Sequence, residues 1–226
     1  MTSLRAVLFD VDFTLCRPGP ELGPEGYSAL GREYGLELDP AHYDEARLAA
    51  IEDLRQHPEL DHDEEIWVRF TEDIVRGMGG GANAAVGEIA IKIVRRWVQA
   101  AQFELYDDVL PVLRELRARG LRLGLISNTS RDLAAFVRHF ALDVDAWIAS
   151  GSYGKVKPSP LIFRAALELV GCGPEVALMV GDSPRDDVAG ARAVGMQALL
   201  LDRAGLHPDA ADRIQSLAEL PGKLGP

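Results

Sequence analysis

The chain has 226 residues, 47% of them hydrophobic, which suits one large domain or a domain with an insertion and excludes a disordered polymer. A net charge of −11 leaves no basic face for nucleic acid or an anionic membrane surface. No stretch approaches the roughly 20 apolar residues of a transmembrane helix, and the early first strand predicts that no signal peptide is present. Cys16 and Cys172 exclude a disulfide framework and lack metal-ligand spacing. We therefore expect a cytoplasmic protein, either a monomer or a homodimer.

The first predicted strand ends in two acids. Residues 6–9 form an apolar run typical of a strand buried on both faces, and Asp10 and Asp12 follow it directly. Two carboxylates this close need a cation or a proton between them. Such a pair can act as a nucleophile and a proton carrier at phosphorus or carbon. The structural alternative is a capped strand end in which Asp12 and Thr14 only bond a turn.

The rest of the chain divides into a helical block and an alternating block. From about residue 25 to residue 102 apolar residues recur at helical spacing, which predicts a small bundle of four helices. From Leu105 onward strands alternate with helices, which predicts a parallel sheet covered on both faces. The predicted strands are residues 121–126, 146–149, 176–180 and 196–201, the last in the chain; the predicted helices are 109–119, 133–140, 161–170 and 188–194.

These patterns predict an α/β fold in which a doubly wound parallel sheet carries an inserted helical domain. The first strand belongs to the sheet, so residues 1–16 and 105–226 form the predicted core and residues 17–104 the predicted insertion. Ligands of such sheets gather beyond the carboxyl ends of the strands. We therefore expect the chemistry of the protein at those ends and a lid function for the inserted helices.

Three further segments that carry polar groups follow predicted strands. Ser127-Asn128-Thr129-Ser130 opens a helix and offers hydroxyls to an oxyanion, although ordinary helix capping needs the same residues. Lys157 precedes Pro158, which restricts its backbone, and an ammonium suits a phosphoryl oxygen, although a solvated loop lysine is the common alternative. Gly181-Asp182 ends another buried strand, with Asp186 and Asp187 close behind. Oxygen ligands of this kind are those that Mg²⁺ prefers.

Together the four segments resemble the four short motifs of the haloacid dehalogenase superfamily, in the family's order. The matching segments are Asp10-Val11-Asp12-Phe13-Thr14, Ser127-Asn128, Lys157-Pro158 and Gly181-Asp182 through Asp187. The resemblance covers the whole chain, because the helical block falls where the family's first type of cap domain lies. It implies a Rossmann-like core with a helical cap.

The resemblance also implies roles for individual residues. Asp10 would be the nucleophile that forms an aspartyl-phosphate, and Asp12 the general acid and base, with Lys157 as the third catalytic residue. The predicted substrate-binding residues are Thr14, Ser127, Asn128 and Lys157. The predicted Mg²⁺ ligands are Asp10, Asp12 through its backbone carbonyl, Asp182 and Asp187. We prefer Asp187 to Asp186 because Val188-Ala189-Gly190-Ala191 follows it, as in the family pattern.

One residue departs from the family pattern. Phe13 stands where relatives often have glycine, and we expect its ring to narrow the pocket or to contact the cap without preventing catalysis. Asp12 argues against a dehalogenase and against phosphonate-cleaving relatives, because both lack an acid there. We therefore expect a Mg²⁺-dependent phosphomonoester hydrolase acting on a small phosphorylated metabolite. A sugar-phosphate mutase of the same family and a non-catalytic phosphate-binding protein are the remaining alternatives.

Overall fold

The computed structural model describes residues 4–56 and 64–225, which form two compact units. The first unit contains the described residues of Met1–Arg17 and Leu105–Pro226, and the second contains those of Pro18–Glu104. None of the helices in the described ranges combines the length and apolar character that crossing a membrane requires.

A six-stranded sheet forms the centre of the first unit. The strands of the described chain are β1 Ala6–Phe9, β2 Cys16–Pro18, β3 Phe103–Leu105, β4 Arg122–Ser127, β5 Ala146–Ala149, β6 Ala177–Gly181, β7 Gln197–Leu201 and β8 Arg213–Ile214. The sheet has the order β5-β4-β1-β6-β7-β8, and every pairing between neighbours is parallel. Helices flank this sheet, so the prediction of a doubly wound α/β core is confirmed.

The central strands are apolar on both faces because helices cover both sides of the sheet. All residues of β1 and β6 are buried, as are the last five residues of β4. In the register of the sheet, Phe9 lies opposite Leu125 on one side and Val180 on the other. The carboxyl ends of these three strands therefore lie within two residues of one another in the register of the sheet.

Helices occupy the remainder of both units. The described chain contains α1 Pro24–Glu33, α2 Tyr43–Gln56, α3 Glu64–Val75, α4 Ala85–Trp97, α5 Val109–Ala118, α6 Leu133–His139, α7 Ser150–Tyr153, α8 Pro160–Val170, α9 Gly190–Ala193 and α10 Leu220–Lys223. In the first unit, Ile162 and Phe163 of α8 join Leu8 and Met179 in one buried cluster. The second unit contains the helices α1–α4, with Tyr27, Ile89 and Ile93 fully buried.

Gly124 allows β4 and α8 to approach closely. A Cβ atom at this position would lie 2.5 Å from Leu8 Cδ2 and 2.9 Å from Val170 Cγ1. Side chains of the neighbouring strand and of the covering helix therefore fill the space that a larger residue would need.

Two local predictions need correction, and the structure adds two short strands that were not predicted. The strand at residues 196–201 is not the last, because β8 pairs with Leu200 and Leu201 beyond it. The predicted helix at 188–194 is a short α9 preceded by a wide helical turn over Pro184–Ala189. The two segments that join the units also contain β2 and β3, which form a separate two-stranded sheet. The strands β2, β3 and β8 have only two or three residues each, which is too few for a periodic pattern of apolar residues to be recognised in the sequence.

Candidate active site

Polar groups meet at the carboxyl ends of the three central strands. Asp10 follows β1, Ser127 ends β4, and Asp182 follows β6. The chain continues from β1 to β4 and β5 on one side and then returns to β6 on the other side. Parallel sheets bind their ligands at such a change of direction, because the connecting loops diverge there and leave a crevice.

Asp10, Asp182 and Asp187 form an acidic cluster. One carboxylate oxygen from each lies within 4.8 Å of the others, which makes this group a possible metal site among the described residues. Asp10 and Asp187 are buried, and Asp182 is partly buried. Asp186 does not belong to this group. The structure therefore places Asp187, the acid that we preferred on sequence grounds, beside Asp10 and Asp182.

The Lys157 ammonium lies between two carboxylates of the acidic cluster. Its Nζ atom donates to Asp10 Oδ1 at 2.5 Å and to Asp187 Oδ1 at 2.6 Å, and the lysine is only 4% exposed. When all three carboxylates are ionised, they and the ammonium together carry a formal charge of −2. An additional divalent cation would therefore neutralise the group.

Burial makes this charge costly and changes the proton affinities of the acids. It raises the pKa of Asp10 from 3.8 to about 7, with Lys157 opposing the shift and Asp187 adding to it. Burial also raises the pKa of Asp182 well above its ordinary value, and the charges of Asp10 and Asp187 increase that effect. For Lys157, burial alone would lower the pKa, but the two carboxylates outweigh it and raise the pKa. The site therefore favours binding a positive charge.

Asn128 holds the backbone of Lys157. Its Oδ1 atom accepts a hydrogen bond from the Lys157 amide at 2.7 Å, and its Nδ2 atom donates to the Lys157 carbonyl at 3.0 Å. The Lys157–Pro158 peptide bond is cis. These two hydrogen bonds position the backbone of Lys157. The role of Asn128 in substrate binding stays a prediction.

Two predicted substrate-binding residues carry buried hydroxyls. Within the described chain, Ser127 Oγ and Thr14 Oγ1 have no hydrogen-bond partner, although the residues are 1% and 0% exposed. Leaving a buried hydroxyl unbonded costs about 1–3 kcal/mol. Ser127 stands at the end of β4, so a phosphoryl oxygen bound there would supply the missing partner.

Asp12 pairs with Arg131, a residue that the sequence analysis passed over. Arg131 Nη2 donates to Asp12 Oδ1 at 3.0 Å, and the arginine side chain is 1% exposed, whereas that of Asp12 is 22% exposed. Arginines in loops are ordinarily solvated, so its position alone did not distinguish it. The one available indication was its place just after the Ser127–Ser130 segment, at the end of a central strand.

Arg203 and Asp108 support the loop that follows the first strand. The guanidinium donates twice to the Asp108 carboxylate and once to the Thr14 carbonyl, each at 2.9 Å. The Ser216 hydroxyl and the Leu217 amide also donate to Asp108. Burial opposes ionisation of Asp108, but hydrogen bonds from Arg203 and Ser216 lower its pKa. The C-terminal part of the chain thereby fixes the loop that carries Asp12 and Thr14.

Phe13 has a left-handed backbone, with φ at 62°. A residue with a Cβ atom is less favourable there than glycine by about 1–2 kcal/mol. This accounts physically for the glycine that the family often has at this position. Phe13 is 37% exposed, so its ring is only partly buried.

The chain belongs to the haloacid dehalogenase-like hydrolases, because the model of that family matches residues 4–195. It is 39% identical over 137 residues to a phosphoserine phosphatase of Thermus thermophilus, covering 58% of this chain and 52% of that protein. It is 32% identical to the human haloacid dehalogenase-like hydrolase domain-containing protein 3, covering 93% of this chain and 85% of that one. The crystal structure of a HAD phosphatase from Thermococcus onnurineus aligns with a TM-score of 0.65 and 29% identity, over 98% of each chain.

Replacing Gly181 by alanine should displace Asp187. The new Cβ would lie 2.2 Å from Asp187 Oδ2, and Asp187 is fixed by hydrogen bonds with Lys157 and the Ser183 amide. We expect a loss of about 1–3 kcal/mol in the free energy of unfolding in urea and a fall of about 100-fold in hydrolytic activity. Gly222→Ala is the control, since a Cβ there meets nothing within 4 Å. Full activity in Gly181→Ala would contradict the geometry of the acidic cluster.

Two substitutions at Phe13 test its backbone strain. Phe13→Gly should be more stable than Phe13→Ala by about 1 kcal/mol in urea unfolding, because only glycine adopts a φ of 62° freely. At an ordinary helical position the order is reversed, and alanine is the more stable by about 0.5–1 kcal/mol. Both variants lack the ring, so the comparison isolates the backbone. Greater stability of the alanine variant would exclude a strained conformation.

Proposed function

We propose that this hydrolase is a Mg²⁺-dependent phosphomonoesterase that acts on a small phosphorylated metabolite through an aspartyl-phosphate on Asp10. The observation that carries the proposal is the cluster of three carboxylates, two of them buried and one partly buried, in which the Lys157 ammonium pairs with Asp10 and Asp187. A similar sequence is a phosphoserine phosphatase, and a similar structure is a HAD phosphatase, which supports phosphate-ester chemistry.

The acidic cluster suits a divalent cation. Its oxygen donors are the hard ligands that Mg²⁺ prefers, and the formal charge of −2 would repel a phosphate dianion unless a cation balanced it. Asp10, Asp182 and Asp187 would hold the ion, with the Asp12 carbonyl as the further ligand predicted from the sequence. When bound, Mg²⁺ neutralises negative charge on the phosphoryl group.

The proposed reaction has two steps, each carried out by residues of this chain. Lys157 and Ser127 bind the phosphoryl oxygens, and Asp10 attacks phosphorus while the bond to the substrate oxygen breaks. Asp12 gives a proton to the departing oxygen, then takes one from the water that hydrolyses the aspartyl-phosphate. Phosphate and an alcohol leave, and both carboxylates return to their starting states.

The two alternative functions differ from this proposal in their products. A sugar-phosphate mutase would return the phosphoryl group to another hydroxyl, and a binding protein would release nothing. Release of inorganic phosphate distinguishes the phosphatase from both alternatives, and formation of an isomeric sugar phosphate distinguishes the mutase from the binding protein. We also propose that the helical unit Pro18–Glu104 is a cap that selects the substrate.

Asp10→Asn should abolish phosphatase activity. Removal of the nucleophile is expected to lower phosphate release from p-nitrophenyl phosphate in the presence of Mg²⁺ by about a thousandfold or more. Asp143→Asn is the matched control, because this acid is 67% exposed and pairs with Arg117. An active parent with an equally active Asp10→Asn variant would exclude the aspartyl-phosphate route. An inactive parent that binds phosphate would favour the binding protein.

The metal-free protein should lose stability as the pH rises from about 4 to 7. Asp10 has a raised pKa of about 7, so in this range the folded state holds a proton that the unfolded chain releases. Mg²⁺ should therefore raise the melting temperature more at pH 7.5 than at pH 5, by about 2–4 °C for each kcal/mol gained.

Asp182→Asn provides the matching control for the melting experiment. Removal of one desolvated carboxylate should raise the melting temperature of the metal-free protein at pH 7.5 and largely remove the effect of Mg²⁺. Sodium chloride at equal ionic strength accounts for screening. An undiminished response to Mg²⁺ in this variant would place the ion elsewhere.

A further inference from the structure

Arg131 is a rigid, buried cation beside the predicted acid and base. Its guanidinium lies 5.4 Å from the ring centroid of Phe136, which is fully buried. Its backbone amide donates to Thr129 Oγ1 at 3.1 Å, which fixes the start of the loop. With a side chain only 1% exposed, Arg131 has little freedom to follow Asp12, so Asp12 must adapt to it.

The contacts of Asp12 fall on one of its two oxygens. Oδ1 accepts from Arg131 Nη2 at 3.0 Å, and the Cys16 thiol lies 3.7 Å from the same atom as a weak donor. Within the described residues, no hydrogen bond engages Oδ2. The carboxylate is therefore held asymmetrically, with one oxygen occupied and the other available.

We propose that Arg131 is a positioning residue that orients Asp12 so that its Oδ2 atom carries the proton in both steps. This inference rests on the proposed function. In the first step the bond from Asp10 to phosphorus forms, the bond to the departing oxygen breaks, and the proton on Oδ2 moves to that oxygen. In the second step the oxygen of the attacking water bonds to phosphorus, the bond from Asp10 to phosphorus breaks, and a proton of that water moves to Oδ2 of Asp12.

The planar guanidinium suits this task better than an ammonium does. It presents donors in a fixed direction, whereas lysine carries a compact charge on a flexible stem. A purely structural arginine would hold the loop after β4 through its contacts with Thr129 and Phe136. The two roles differ in one measurable respect, because only an orienting role depends on how much the departing oxygen needs a proton.

A series of aryl phosphates separates these roles. We would measure kcat/KM for 2,4-dinitrophenyl, 4-nitrophenyl and phenyl phosphate, whose departing oxygens are increasingly basic and increasingly need protonation. The variants are Arg131→Met, Arg131→Lys and, as a positive control, Asp12→Asn. Arg117→Met is the matched arginine control, since it breaks ion pairs with Asp143 and Asp145 at the other end of the strands.

Arg131→Met should lower kcat/KM by less than about threefold for the dinitrophenyl ester but by about 30-fold to 100-fold for phenyl phosphate. Arg131→Lys should fall between this variant and the parent, and Arg117→Met should match the parent across the series. Thermal melting confirms folding, and if Arg131→Met is unfolded then Arg131→Lys carries the comparison.

An equal loss on all three esters in the folded Arg131 variants, with a graded loss in Asp12→Asn, would overturn the role of Arg131 and leave the proposed function intact. A parent without phosphatase activity would overturn both. A graded loss in the Arg131 variants as well as in Asp12→Asn supports the positioning role.

Discussion

The active site depends on one buried ammonium placed between two carboxylates. Lys157 meets Asp10 and Asp187 at 2.5 and 2.6 Å, and these residues come from three separate parts of the first unit. Losing one partner of a buried ion pair is typically destabilising by about 3–5 kcal/mol, because the remaining charge stays without solvent. The loops after β1, β5 and β6 are therefore coupled through a single atom. The parallel sheet makes this coupling possible by bringing their starting points to one edge.

The same arrangement explains why the site suits a reaction at phosphorus. Burial removes water that would otherwise screen the acids, and the proton affinities of Asp10 and Asp182 rise as a result. The cluster is therefore unfavourable when it is fully ionised, and a divalent cation would relieve it. Two buried hydroxyls, those of Ser127 and Thr14, remain to be satisfied. A fold that needs cations and oxygen acceptors at one place has the features of a phosphate-ester site.

The sequence predicted the large elements because their physical causes are local. Mainly apolar segments mark β1, β4 and β6, and polar residues at their ends mark the edge where ligands bind. The burial of Arg131 and the hydrogen bonds of Asn128 with the Lys157 backbone were not predicted, since both depend on which loops meet across the sheet. The short β8 has too few residues to show a period. The left-handed backbone at Phe13 was not predicted, because a phenylalanine in the sequence gives no indication of a positive φ.

The contacts around Asp108 connect the C-terminal part of the chain to the loop that follows the first strand. Arg203 and Ser216, which bind Asp108, lie after residue 195, where the match to the family model ends. Support for the loop that carries Asp12 and Thr14 thus comes partly from residues outside the range that the family model matches. Two enzymes with identical motifs can therefore differ in how firmly that loop is held, and turnover can diverge through residues that no motif comparison would include.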